Sequence, residues 1–369
     1  MLVAANLRPA VVAVGPLVDD ISRGERFGSA VSGLLTTLPV LCFGLVSPIA
    51  PRLAARFGIE RAIFGSLVVL LAAIGLRAIP GTLGLFAGSA LVGLSIGACN
   101  VVLPALIKRD FTHRSGLMTG LYSMTLSGGA AVAVGTIVPI DDAVGGHWRL
   151  SLATWALPVA LALLVWLPQL SRVHTAEYAP AGSLWRNPIA WAITVFMGAQ
   201  SLVFYTLTAW LPAYLADEGF TRSAAGSVLA IGQIAALIAS LVAPIVAGRF
   251  ADQRLLTTAV LTVSLIGLVG LLTTDHATVA ATILLLLGPG SSISLALLFM
   301  VLRSNSTAQT GQVSGMAQTV GYLLAALGPV TAGTLHDATG SWEAAFTVVG
   351  AALIIQLIAT TGAARNVTM

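Results

Sequence analysis

Pro51-Arg-Leu-Ala-Ala-Arg56-Phe57-Gly58-Ile-Glu-Arg61 and Pro244-Ile-Val-Ala-Gly-Arg249-Phe250-Ala251-Asp-Gln-Arg254 are two versions of one pattern. Pro, Ala, Arg-Phe, a small residue and Arg recur at a constant offset of 193. The same offset carries Gly33 onto Gly226, and an offset of 195 carries Gly116-x-x-x-Gly120 onto Gly311-x-x-x-Gly315. A chain of 369 residues therefore reads as two parallel copies of one unit.

Working outward from each copy, the flanking sequence is apolar. Runs bounded by charge, Gly or Pro fall at 1–18, 31–51, 62–79, 82–107, 116–139, 149–168, 188–214, 223–247, 255–273, 277–302, 311–334 and 343–363, twelve in all. Only 9% of residues are charged and 57% are hydrophobic, against roughly 25% charged in soluble domains. So few charges cannot cover a surface facing water, and the solvent of this protein is lipid. In hydrocarbon every backbone amide must be satisfied within its own segment or in a closed barrel. Runs near 20 residues without alternation select helices. The expected fold is all-α, with about twelve transmembrane helices in two pseudo-symmetric six-helix bundles, residues 1–168 and 188–369. The polar stretch 169–187 is the linker between them. The first run is the weakest, its length reaching only ~27 Å, barely the hydrocarbon thickness.

Basic residues set the expected orientation. With the N-terminus cytoplasmic, Arg52, Arg56, Arg61, Lys108, Arg109, Arg114, Arg172, Arg186, Arg249, Arg254, Arg303 and Arg365 lie inside. Arg23, Arg26, Arg77, Arg149 and Arg222 lie outside. Twelve against five satisfies the positive-inside rule for a multi-pass protein with both termini in the cytoplasm.

Several function classes are excluded. The net charge of +4 is spread over single Arg residues with only one Lys, which is no footprint for nucleic acid. Cys42 and Cys99 stand alone inside apolar runs and suggest no metal or redox motif. All fourteen carboxylates and the five histidines fall in connections, so the spans offer no metal cluster, no cofactor site, no acid–base pair for an enzyme and no buried proton relay. A doubled six-helix unit is also the architecture of alternating access rather than of a pore ringed by identical subunits.

Arg8 is then the one charge left inside a run. A guanidinium stays cationic in low dielectric and presents a planar fork of donors suited to a small anion or a nitro group. Two roles fit it: substrate contact, or a side chain that snorkels to the nearby interface. Asn100, Tyr122, Gln200, Tyr205, Gln233, Gln318 and Tyr322 are the polar groups placed deep in runs, and each is either a ligand contact or a helix-to-helix hydrogen bond. Gly44, Gly93, Gly97, Gly128 and Gly129, with Pro39, Pro104, Pro139, Pro289 and Pro329, thin or kink the spans.

The loop with Arg56, Phe57, Gly58 and Arg61 resembles the signature of the major facilitator superfamily, from which Pro51 and Ala55 depart. Three further patterns resemble its cyanate and 2-nitroimidazole transporter branch. They are Asn6-Leu7-Arg8-Pro9 with Val14-Gly15-Pro16-Leu17, then Leu103-Pro104-Ala105-Leu106-Ile107-Lys108-Arg109, and Gly198-Ala-Gln200-Ser-Leu-Val-Phe-Tyr205 leading to Ala209-Trp210-Leu211-Pro212. The resemblance implies a monomeric secondary transporter of the inner membrane working by alternating access. Arg8, Gln200, Tyr205, Asn100, Tyr122, Gln318 and Tyr322 would line its substrate site, and loops with Arg56, Gly58, Arg61, Arg249 and Arg254 would gate it. The implied cargo is a small anion or small planar polar solute such as cyanate or a nitroimidazole. The alternative is broad drug efflux, against which the lack of a membrane carboxylate argues for cationic drugs.

Overall fold

The computed structural model describes residues 1–172, 184–273 and 277–369. Among these, every regular element is helical. In chain order they are α1 (Leu2–Ala5), α2 (Pro9–Val12), α3 (Val18–Glu25), α4 (Ser29–Val46), α5 (Ala50–Phe57), α6 (Ile59–Ala78), α7 (Thr82–Asp110) and α8 (Ser115–Ala143). Then come α9 (Trp148–Ala153), α10 (Ala156–Trp166), α11 (Pro188–Asp217), α12 (Arg222–Ala247), α13 (Arg254–Thr273), α14 (Thr278–Leu302), α15 (Thr307–Thr339) and α16 (Trp342–Ala363). Among the described residues ten helical segments are long and apolar enough to cross a bilayer, or eleven when α4 and α5, bent by 55°, count as one. The apolar stretch Leu2–Leu17 is the remaining candidate and is shorter.

The all-α fold class is borne out. Large aliphatic side chains point out of the helices into the surroundings, among them Leu83 on α7, Leu157 on α10 and Leu255 on α13, each more than 70% exposed. On a soluble protein these would be a liability; facing lipid they cost nothing.

The chain forms two compact units, Met1–Leu106 with Thr125–Pro180, and Ile107–Met124 with Ala181–Met369. In the first, Ala13, Val14, Leu17 and Ile21 pack with Leu85, Ile137, Trp148 and Leu152. Here α7 crosses α4 at backbone distance, since a Cβ on Gly93 would lie 2.5 Å from the Pro39 carbonyl oxygen. The second unit repeats that device: a Cβ on Gly290 of α14 would lie 2.5 Å from the Ala236 carbonyl oxygen of α12. Small residues let helix backbones approach where lipid gives no hydrophobic drive for association. Within this unit Gly116 at the start of α8 lies against α12 as well, its absent Cβ 2.4 Å from the Pro244 carbonyl oxygen. Four helices of this unit carry side-chain caps: Asn187 on α11, Thr221 on α12, Ser306 on α15 and Ser341 on α16 each accept a bond from a first-turn amide.

Several expectations need correction. The first run is not one helix: it stops after Ala5, restarts at Pro9 and passes through a 3-10 turn at Gly15–Leu17. Pro9 and Pro16 each lack an amide donor and clash with the carbonyl four residues back. The 31–51 run likewise ends at Val46 and resumes at Ala50, bent across Pro48.

Charges placed in connections also turn out to lie in helices. Arg77, expected on the outer side, is in the last turn of α6 and 2% exposed, while Glu60 is in the first turn of the same helix and 3% exposed. Asp141 is buried in the last turn of α8, where it accepts from the Ser151 hydroxyl at 2.6 Å, and His336 lies inside α15. Pro39, Pro104, Pro139, Pro289 and Pro329 all sit inside continuous helices, so they do not end their spans. Of the linker, Leu167–Arg172 and Leu184–Arg186 form 3-10 turns. His174, Glu177, Asp275 and His276 lie outside the described residues.

Candidate substrate site

The break in the first span places Arg8. After α1, the Asn6 side chain donates to the Leu2 carbonyl at 2.9 Å and to the Pro158 carbonyl at 3.2 Å, which ends the helix and ties it to α10. Arg8 follows with φ −122° and ψ −35°, outside helical values, and serves as the N-cap residue of α2. Its carbonyl accepts from the Val11 and Val12 amides at 3.0 Å. The side chain is half-buried. A cation is thus held at a point where the backbone is unwound, within an otherwise apolar segment. On the other flank, a Cβ on Gly129 of α8 would stand 2.5 Å from the Ala5 carbonyl oxygen, so α8 approaches the break at backbone distance.

Asn100 of α7 is buried in the first unit, and Tyr122 of α8 is buried in the second. The remaining candidates lie on α11 and α15, and glycines set their register. Gly198 lies on Gly321, Thr206 and Leu202 lie on Gly328, and Trp210 lies on Gly333. Both series ascend together, so the two helices run parallel. At 1.5 Å per residue, Gln200 stands about 3 Å beyond Gly198 and Tyr322 about 1.5 Å beyond Gly321. These two therefore share a level, with Gln318 roughly 4.5 Å short of Gly321 and Tyr205 close to the level of Gly328. Gln200 and Gln318 are buried, whereas Tyr205 and Tyr322 are half-buried. The Gln200 side-chain oxygen accepts from Ser201 at 3.1 Å, and the Gln318 amide donates to Ser314 at 2.9 Å. Gln233, the other deep polar candidate, is exposed on α12.

The residues of the two motif loops separate into exposed and anchoring groups. Arg56 and Arg61 are exposed, with the Arg56 guanidinium 5.4 Å from the Phe57 ring centroid. Gly58 joins α5 to α6 at φ 89°, a conformation open to Gly and strained for other residues. In the second loop Arg249 and Arg254 are exposed, and Arg254 pairs with Asp252 at 2.8 Å. Hydrogen bonds from Arg254 hold the Asp252 carboxyl below its usual range.

Sequence reasoning missed what anchors this second loop. Arg303, buried at the end of α14, donates to Gln253 and to the Ala363 and Ala364 carbonyls at 3.2 and 2.9 Å. Gln253 in turn holds the Ala247 and Phe250 carbonyls. Burial of Arg303 against the end of α16 carries no signal in its own neighbourhood of the sequence. Among the described residues no group of three or more His, Cys, Asp or Glu is arranged to hold a metal ion.

The Major Facilitator Superfamily model matches residues 10–329. The chain belongs to that superfamily. It is 38% identical to the 2-nitroimidazole transporter of Escherichia coli over 98% of this chain and 93% of that protein. It is 30% identical to the cyanate transport protein CynX of the same organism over 93% and 90%. The superfamily transporter FucP in its outward conformation has the same fold, with a TM-score of 0.76 over 99% of this chain and 98% of that one at 14% identity. The chain is therefore a multi-pass membrane protein and a secondary transporter of a small solute, rather than an enzyme. The resemblance to the cyanate and 2-nitroimidazole transporter branch is borne out, and drug efflux is not the reading these relatives support.

Proposed function

We propose that this superfamily member carries a small anion or a small planar polar solute, of the cyanate or nitroimidazole kind, by alternating access. The observation that carries the reading is Arg8: a permanent cation, half-buried, at the break in an otherwise apolar segment. Relatives at 38% and 30% identity that bear the names 2-nitroimidazole transporter and cyanate transport protein point to the same chemistry.

Arg8 holds the negative end of the solute through its planar donor fork. Gln200 and Tyr205 orient the solute, since an amide and a phenol both donate to and accept from a small polar group. Asn100, Tyr122, Gln318 and Tyr322 complete the polar set. Residues 1–168 and 188–369 act as the two moving halves, joined by the 169–187 linker. The loops with Arg56, Gly58, Arg61, Arg249 and Arg254 gate access. The transporter works as a monomer in the inner membrane with both termini in the cytoplasm. Removing the buried Arg303 and Arg77 from the loop charges leaves eleven basic residues inside against four outside, so the charge bias persists.

Uptake of cyanate, nitrate, formate and 2-nitroimidazole into proteoliposomes tests this, with wild type beside folded Arg8→Gln. A charged hydrogen bond contributes about 1.5–3 kcal/mol, so the substitution lowers uptake of the transported solute roughly ten- to a hundredfold. Unchanged uptake means that Arg8 merely snorkels and the reading fails.

A further inference from the structure

Arg77 is the largest fully buried side chain of the first unit and a permanent charge, yet neither the substrate reading nor the gating loops use it. It forms no ion pair with a described carboxylate. Its Nε donates to the Ser89 hydroxyl at 3.1 Å and its Nη1 to the Ala10 carbonyl at 2.5 Å, while Nη2 has no hydrogen-bond partner among the described residues. The guanidinium stem lies over Gly88, where a Cβ would come within 2.7 Å of its Cγ. A buried charge without a counter-ion is costly, and a fold that needed only packing here would be served by an apolar side chain.

The Ala10 carbonyl explains the charge. In a continuous helix it would accept from the Val14 amide, but that amide bonds Val11 instead, at 3.4 Å, as the segment tightens toward the 3-10 turn Gly15–Leu17. The carbonyl left open where α2 ends belongs to Ala10, two residues beyond Arg8. In hydrocarbon it must find another donor, and a fully buried Arg from α6 supplies it. Ser89, which donates to the Leu85 carbonyl at 2.7 Å, keeps its lone pairs turned to Arg77 Nε and fixes the guanidinium from α7.

We infer that Arg77 is a positioning residue for transport: by clamping the Ala10 carbonyl it holds the unwound segment in the shape that presents Arg8 to the solute. The inference rests on the reading of Arg8 as the substrate contact. Arg77→Met keeps the volume and removes both the buried charge and the donor to Ala10; the first change stabilises and the second destabilises, so its melting temperature in detergent stays close to that of wild type. Its KM for cyanate, or for whichever tested solute is carried, rises about tenfold with Vmax held within about twofold. Arg77→Lys, which keeps one donor toward Ala10, recovers part of the loss.

Combining Arg77→Met with Arg8→Lys, which keeps the charge of Arg8 and removes its fork, supplies the decisive measurement. If Arg77 acts through Arg8, uptake at low solute in the double variant equals that of Arg8→Lys alone. Losses that multiply, an unchanged KM in Arg77→Met, or a fall in melting temperature with KM unmoved each overturn the inference. Normal uptake by Arg8→Gln overturns the Arg8 reading and this inference together, whereas impaired Arg8→Gln beside an unimpaired Arg77→Met overturns the positioning role alone.

Discussion

Two segments occupy the same place in the two repeats and fold differently. Residues 1–25 break into α1, α2, a 3-10 turn and α3, whereas α11 runs unbroken for thirty residues from Pro188 to Asp217. At the offset of 193 that aligns the motif loops, Pro9 stands opposite Leu202 and Pro16 opposite Ala209. Two prolines seven residues apart leave too few intact turns between them to keep one helix, while α11 absorbs its single interior Pro212. The broken segment frees backbone groups and must recruit a donor, which Arg77 provides. The continuous one satisfies its own backbone and spends its side chains on α15. Trp210 donates to the Pro329 carbonyl at 2.8 Å, and Thr206 and Leu202 fill the space over Gly328. The difference shows how one repeat can hold a charged residue at an unwound point while the other keeps its polar side chains on an intact helix.

The sharpest way to break this comparison is to move the break across. Leu202→Pro removes an interior helical hydrogen bond, clashes with the Gly198 carbonyl and loses the packing over Gly328, costing about 3 kcal/mol or more. The expected result is little folded protein after detergent extraction. A variant that melts like wild type would show that proline alone did not break the first span.

A smaller effect tests the other half of the contrast, the reliance of α11 on α15. In Gly328→Ala the new Cβ meets the Thr206 hydroxyl at 2.3 Å and the Leu202 carbonyl oxygen at 3.1 Å, so two helices must separate or a side chain must leave its rotamer. Overpacking of this kind lowers stability by about 1–3 kcal/mol, read as a fall in melting temperature. An unchanged melting temperature would mean that the pair is looser than its glycines indicate.

The smallest effect belongs to the motif loops, which differ between the repeats in the same sense. Glu60 of the first copy is buried, whereas its counterpart Gln253 is neutral and the carboxylate has moved to the half-exposed Asp252. Because Arg254 depresses the folded-state pKa of Asp252, the stabilisation from this pair is present above the ordinary carboxylate pKa of about 3.9. It is lost as pH falls through the depressed value. Melting curves of wild type and Asp252→Asn should therefore differ slightly at neutral pH and converge in strong acid. Curves that stay apart in acid would assign Asp252 a role other than pairing with Arg254.

How much of this was legible in the sequence depends on how local each cause is. The long apolar runs from 188 onward match their helices to within three residues at each end, apart from 311–334, whose helix extends from Thr307 to Thr339, since length and composition suffice to select a helix in lipid. Pro9 and Pro16 break the first run, whereas Pro39, Pro104, Pro289 and Pro329 in similar runs leave their helices unbroken, so a proline in the sequence does not by itself mark a break. Whether a proline breaks a span depends on what re-satisfies the freed groups, and that partner comes from another helix. Arg77 and Arg303 read as connection residues for a related reason. Each lies within a turn of the end of an apolar run, where a snorkelling Arg and a buried one have the same sequence.

The sequence by itself determined that the protein is helical, lives in lipid, is built from two parallel repeats and belongs to its superfamily, because composition, run length and repeated motifs are properties of short stretches. Only the tertiary structure decided where the backbone is unwound and which charges are buried. In a bilayer those outcomes are set by the donors and acceptors that distant helices bring to one point. The Ala10 carbonyl meets Arg77 sixty-seven residues away, and Gln253 meets Arg303 fifty residues away.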